Sequence, residues 1–288
     1  MQPASSFIGK IAEQISIPEA YLQIRRLIEN PDAEIQDFVD TIQQDSMLAV
    51  RTIRIANSPF FGFPRRAKDL HQAISLIGVM QLHDLALSCL AMRTFAYIPQ
   101  QVFNLEAFWK YSVQCGIAAK LIAQYSLSLP VNLYFSLGLL HEIGHAALFA
   151  RQPELSLQAL EQSQLQNICI TRLEHDYFGF DYTQIGTTIM QMWQLPELYQ
   201  QSAACHLQPQ LASEKNQHAV NIVHLAHEIC QNPQPGKHHT LIENSRANDP
   251  RLQQLPANFE ELILKEITTH ADSLLRVLWP YSMTDRAV

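Results

Sequence analysis

An all-α fold is predicted for this chain by three observations. Apolar residues recur at helical spacing along most of the 288 residues, no stretch shows the two-residue alternation of a half-buried strand, and nine glycines in all suit helices joined by short turns. With 47% hydrophobic residues the chain can bury a sizeable core, far from a disordered composition.

The elements follow in order. Ser16-Ile17-Pro18-Glu19 reads as a capping box with Ser16 at the N-cap and Pro18 in the first turn, followed by the stripe Tyr21, Ile24, Leu27 and Ile28. In "NPDAEIQDFVDTIQQD", Ile35, Phe38, Val39 and Ile42 repeat the helical spacing. A third helix, 46–56, runs into "ANSPFFGFPRR", where Asn57, Pro59, Gly62 and Pro64 break the pattern. Helices 70–77 and 79–96 hinge at Gly78. A second set opens at Asn104, a plausible N-cap, and covers 105–126, 131–151, an interrupted 155–177, 183–193, 196–206 and 216–231. The proline-rich segment 231–256 reads as a linker or loop before a final amphipathic helix, 257–278. The organisation expected is an N-terminal helical subdomain (1–100), a second helical subdomain (101–235), and a linker with a C-terminal helix (236–288).

Composition narrows the function. No run of 18 apolar residues predicts a membrane span, and "MQPASSFIGKIAEQ" lacks the features of a secretory signal. Five dispersed cysteines suit a reduced, cytoplasmic setting rather than a disulfide framework. A net charge of −7 argues against broad nucleic-acid binding. Arg51, Arg54, Arg65, Arg66 and Lys68 form one local cationic cluster, either a solvated face or a site for an anion or partner.

The most conspicuous short motif is His141-Glu142-Ile143-Gly144-His145, which spells the zinc-peptidase pattern H-E-x-x-H. On a continuous helix both imidazoles would reach one Zn²⁺, with Glu142 polarising its water. A third ligand is then required. Leu148 and Arg151 occupy the positions where the extended motif has Gly and His, which leaves Glu161 or Glu174. The absence of a predicted strand to hold a peptide also speaks against proteolysis.

A larger portion of the chain resembles the HDOD family, bacterial signalling domains related to the HD-type metal-dependent phosphohydrolases. The resemblance runs over about residues 10–230. It is carried by the "NPDA" helix start, the "ANS" turn, Ala73-Ile74 with Leu76-Ile77-Gly78, "GLLHEIGHAAL", "FGFDYTQIG", "WQLPELYQQSAACH" and "IVHLAHEIC". It implies an all-α fold. In the catalytic relatives an adjacent His-Asp pair, further histidines and a late Asp bind a divalent metal that activates water against a phosphoester. Carried over position by position, Tyr111, Tyr182 and Cys205 stand where histidines are expected, Glu142 and His227 where aspartates are, and His145 where a lysine is common. His141, Glu142, His206 and His227 remain to share a centre, read as the vestige of a metal site with Glu142 the catalytic candidate if any activity survives.

Other candidates have plainer readings. His224 suits solvent exposure or helix packing, His238-His239 a solvated loop, and His175-Asp176 a chance imitation of an HD pair. Trp109 and Trp193 suit the core, and Phe60, Phe61 and Phe63 a plug between the helical sets. The resemblance thus implies a non-catalytic regulatory module that needs no cofactor and binds a signalling protein or a nucleotide second messenger. The alternative is a phosphohydrolase holding Zn, Fe, Mn, Ni or Mg.

Overall fold

A computed structural model describes residues 4–9, 12, 15–98 and 103–279. The expected subdomain boundary near residue 100 lies outside the described residues. Every regular element among those described is helical, and the chain divides into two compact units: Met1–Ser16 with Phe95–Ile267, and Ile17–Thr94 with Thr268–Val288.

After α1 (Ala4–Gly9), which belongs to the larger unit, the smaller one is built from α2 (Glu19–Glu29), α3 (Ile35–Gln43), α4 (Ser46–Ala56), a 3-10 turn (Pro59–Phe61), α5 (Leu70–Ile77) and α6 (Val79–Thr94), together with the second half of the last helix, from Thr268. The capping box predicted at Ser16 does not form. Helix α2 begins at Glu19 with Pro18 at the N-cap and no side-chain cap. A box at Ser16 would need Ile17 in the helical region, and the ring of a following proline disfavours that. The box appears one helix later, where the Glu34 N–H donates to the Asp37 carboxylate at 2.8 Å and the Glu34 side chain accepts from the third helical residue. The Asn57 side chain closes the loop after α4, donating to the Ala67 carbonyl at 3.0 Å and accepting from its N–H at 2.9 Å. Phe60 and Phe61 are buried in this unit, Phe60 with its ring 5.5 Å from that of His270. Between α5 and α6 the chain turns by 108° at Gly78, whose φ of +79° falls where L side chains are strained.

The larger unit holds α7 (Leu105–Tyr125), α8 (Val131–Leu140), α9 (Ile143–Arg151), α10 (Pro153–Gln166), α11 (Ile170–Phe178), α12 (Tyr182–Met192), α13 (Glu197–Cys205), α14 (Glu214–Gln231) and α15 (His239–Asn248), with the first half of α16 (Phe259–Leu278). Asn104 caps α7 as predicted, accepting from the Ala107 N–H at 2.9 Å. Trp109 and Trp193 are core residues, and the Trp193 indole donates to the Ile15 carbonyl at 2.8 Å. Two close crossings fix the centre of this unit. A Cβ on Gly138 would lie 2.5 Å from the Cys115 carbonyl oxygen, and one on Gly144 would lie 1.9 Å from that of Tyr182. Glycine therefore lets α8 lie against α7, and α9 against α12, at backbone distance.

Three further expectations need correction. The helix predicted over 131–151 breaks at His141–Glu142, between α8 and α9. By length and composition Val131–Arg151 could cross a membrane, but 83% of its most apolar window is buried in the protein. The predicted linker 231–256 instead carries α15 and a 3-10 turn (Pro250–Gln254), and it buries Ile242, Leu252 and Leu255. His238, expected in solvent, is buried with Nδ1 2.7 Å from Glu260. Asp249 caps the 3-10 turn and pairs with the buried His218 at 2.5 Å. These ties hold a polar-looking segment in the fold.

Candidate metal centre

The break between α8 and α9 changes the meaning of the H-E-x-x-H motif. His141 is the C-cap of α8 and Glu142 the N-cap of α9, so His141 and His145 do not share a helix face. His145 turns to Glu174, 3.2 Å away, and stacks on the Tyr182 ring at 3.8 Å between centroids. Burial would lower its pKa, yet the Glu174 carboxylate, together with Glu142 and Asp181, outweighs burial and raises it. Glu174 also accepts from the Tyr182 N–H at 2.8 Å. The peptidase arrangement is absent: one of its histidines and one candidate third ligand are committed to each other.

The α8–α9 break instead brings His141 and Glu142 to His206, at the C-cap of α13, and to His227 on α14. One donor atom from each of the four lies within 4.8 Å of the others, and all four residues are buried. Neighbouring donors on a tetrahedral zinc are about 3.3 Å apart, given metal–nitrogen bonds of about 2.0–2.1 Å. Separations of 3.1 Å from His141 Nε2 to His227 Nδ1 and 3.4 Å from His227 Nδ1 to Glu142 Oε1 match that spacing. Three imidazoles and a carboxylate therefore fit a divalent ion such as Zn²⁺, which would supply Lewis acidity and activate water.

The same groups also close a hydrogen-bond network by themselves. His141 Nδ1–H donates to the Gly138 carbonyl at 2.7 Å, which leaves its Nε2 with a lone pair. Without an ion, His227 Nδ1–H must donate across the 3.1 Å gap to that lone pair, because two facing lone pairs would repel. His227 Nε2 then accepts from the Gln231 amide at 2.8 Å. His206 Nδ1–H donates to the Ser202 and Ala203 carbonyls at 3.1 and 3.0 Å, and its Nε2 accepts the Tyr182 hydroxyl proton at 2.9 Å. The Tyr111 hydroxyl sits 2.9 Å from His227 Nδ1.

Electrostatics agree with neutral imidazoles. Burial, reinforced by the neighbouring imidazoles, pushes the pKa values of His141, His206 and His227 well below the usual histidine value. Burial raises Glu142, with Glu174 adding to the effect while His145 opposes it. It also holds Tyr111 and Tyr182 far above ordinary phenols, so both remain O–H donors.

The remaining candidates lie elsewhere. Cys205 precedes His206, is half-buried, and is not one of the four donors. His224 Nδ1 donates to the His206 carbonyl at 2.7 Å and so braces that loop. His175 reaches Asp181 at 3.4 Å, with no pairing to Asp176. The five-cation patch is reduced to four. Arg51 is 4% exposed and donates to the Cys89 carbonyl at 3.3 Å, while Arg54, Arg65, Arg66 and Lys68 are exposed. Sequence reasoning missed Gln231, although it lies four residues after His227 on the same helix face.

A cavity of about 670 Å³ in the larger unit adjoins this cluster. Glu142, Tyr111, Cys230 and Gln231 line its polar side, Phe103, Phe108, Phe149, Leu157 and Leu160 its apolar wall, and Asn104, Ala107 and Gln164 complete it.

The all-helical fold and the histidine–carboxylate cluster beside this cavity agree with the HD-related resemblance of the sequence. The narrower assignment follows from the sequence profile of the HDOD domain, which matches residues 15–209: the chain belongs to the HDOD family. An uncharacterised protein of Treponema pallidum (strain Nichols) is 29% identical over 196 residues, 67% of this chain, and the chain spans only 37% of that relative's length. An HDOD domain protein of unknown function from Geobacter sulfurreducens shares the fold, with a TM-score of 0.73 at 23% identity over 96% of both chains. So does a Shewanella amazonensis SB2B protein provisionally named a phosphohydrolase, with a TM-score of 0.73 at 17% identity over 96% of this chain and 98% of that one.

Proposed function

We propose that the chain is a non-catalytic regulatory module of the HDOD type, acting by binding a signalling protein or a small ligand. The observation that carries this reading is the pair of tyrosine hydroxyls on the histidine cluster. Tyr111 and Tyr182 replace expected histidines, and each lies 2.9 Å from an imidazole nitrogen facing the centre. Imidazole is a good ligand at neutral pH, whereas a phenol held protonated by burial is a poor one. Two ligands are thereby lost, and the remaining imidazoles have hydrogen-bond partners within the protein. A hydrolytic centre also needs an open coordination position and supporting polar groups around its ligands. Here hydroxyl groups stand at the inward nitrogens.

The alternative is a metal-dependent phosphohydrolase, favoured by the matching donor spacing. In that reading His141, Glu142, His206 and His227 hold the ion, and Gln231 presents its carbonyl to a His227 tautomer protonated at Nε2. Turnover of bis(p-nitrophenyl) phosphate with added Mn²⁺, Fe²⁺ or Zn²⁺ separates the two. The regulatory reading predicts no difference between the wild-type protein and His141→Ala. Metal-dependent turnover that disappears in His141→Ala contradicts it.

A further inference from the structure

We propose that the cavity beside the histidine cluster is a ligand site for a small, flat, mostly apolar molecule carrying an N–H or ammonium group, and that it rejects phosphorylated and other anionic ligands. This deepens the regulatory reading and rests on it, since a hydrolytic pocket would have to admit a phosphoester.

Size and lining carry the argument. At about 670 Å³ the cavity lies within the range of small-molecule sites, about 300–1,000 Å³. Its wall is aromatic: the rings of Phe103 and Phe149 stack with centroids 4.1 Å apart, and Phe108 packs against Phe103 at 5.3 Å. Leu157 and Leu160 on α10 continue the apolar surface. Glu142 and Cys230 are buried, whereas Asn104, Leu157, Gln164 and Gln231 are exposed and mark the mouth. A ligand entering there slides an apolar body along the phenylalanines and presents its polar end to Glu142 and Tyr111.

Charge sets the specificity. Among the described lining residues Glu142 is the one charged group, and neither lysine nor arginine is present. Phosphate recognition depends on such cations or on a row of free backbone N–H groups. A phosphate entering this cavity would meet the Glu142 carboxylate on a low-dielectric wall, with no cation among the described lining residues to offset it. An amine or amide N–H finds an acceptor in Glu142, and a cationic nitrogen is also drawn to aromatic faces.

A matched pair of fluorescent probes tests the assignment on the whole chain. N-phenyl-1-naphthylamine has a flat apolar body and one N–H; 8-anilinonaphthalene-1-sulfonate is the same skeleton with an added anion. The neutral probe is expected to bind saturably and the sulfonate about tenfold more weakly or worse. Leu157→Trp, at the exposed mouth where folding is not at stake, should abolish neutral-probe binding. Glu142→Gln should narrow the gap between the probes. Absence of saturable neutral-probe binding, equal binding of both probes, or binding unchanged by Leu157→Trp would overturn the proposal. These outcomes are independent of metal-dependent phosphodiester turnover, so failure of the cavity assignment is distinguishable from failure of the regulatory reading.

Discussion

The Tyr182 hydroxyl lies 2.9 Å from His206 Nε2, the lone pair that a metal at this centre would require. Tyr182 is the first residue of α12, and its backbone oxygen is the atom that a side chain on Gly144 would strike. The position of the hydroxyl is therefore set by the α9–α12 crossing. Tyr182→Phe leaves a buried imidazole nitrogen without its donor, and a loss of about 1–3 kcal/mol is expected. Urea denaturation at neutral pH measures it, and an unchanged midpoint would show that the hydrogen bond contributes nothing.

Restoring histidine at both tyrosine positions should have the opposite effect on metal. Tyr111→His with Tyr182→His replaces two poor ligands by two good ones and is expected to tighten Zn²⁺ or Mn²⁺ binding by about tenfold or more. Calorimetric titration of the double variant beside the wild type reads this directly. Equal, weak binding in both would mean that the tyrosines are not what limits the site.

Stability should fall as the solution is acidified through the histidine range. His141, His206 and His227 have folded-state pKa values lowered by burial and by one another, so the unfolded chain takes up protons first. Their contribution is fully present above the unfolded value of about 6.5 and is lost as pH drops below it. Glu142, raised by burial, and His145, raised by its carboxylate neighbours, act in the opposite sense: their contributions are lost as pH rises through their folded values, and the three lowered imidazoles outnumber them. Denaturant midpoints at pH 7.5, 6.5 and 5.5 should fall in that order, and a flat profile would contradict neutral buried imidazoles.

Gly144→Ala tests the crossing itself. The added methyl would meet the Tyr182 carbonyl oxygen at 1.9 Å, and its obstacle is backbone rather than a movable side chain. Overpacking of this kind costs about 1–3 kcal/mol, and sometimes more. Thermal unfolding of Gly144→Ala beside Gly9→Ala, where a Cβ meets nothing within 4 Å, separates the clash from the loss of glycine flexibility.

Much of the fold was legible because helical periodicity and caps are local. Asn104, Gly78 and the stripe Ile35, Phe38, Val39 and Ile42 declare their roles within a few residues. The break at His141–Glu142 was not legible, because apolar residues continue across it and the His141–Gly138 bond that turns the ring inward is a matter of geometry. The segment 231–256 misled by composition: prolines and polar residues suggest a linker, whereas His218–Asp249 and His238–Glu260 tie it down through partners distant in sequence. At the centre, the family resemblance selected His141, Glu142, His206 and His227, and the structure places them together. The direction of each proton in the network, the part played by Gln231 and the aromatic wall at Phe103 and Phe149 required coordinates.

The central claim is that tyrosine hydroxyls have taken the place of a metal at this cluster. Elemental analysis of protein purified without added metal or chelator tests it most directly. The account predicts substoichiometric Fe, Mn, Ni and Zn, unchanged in His141→Ala. One ion per chain, lost in His141→Ala, would contradict it.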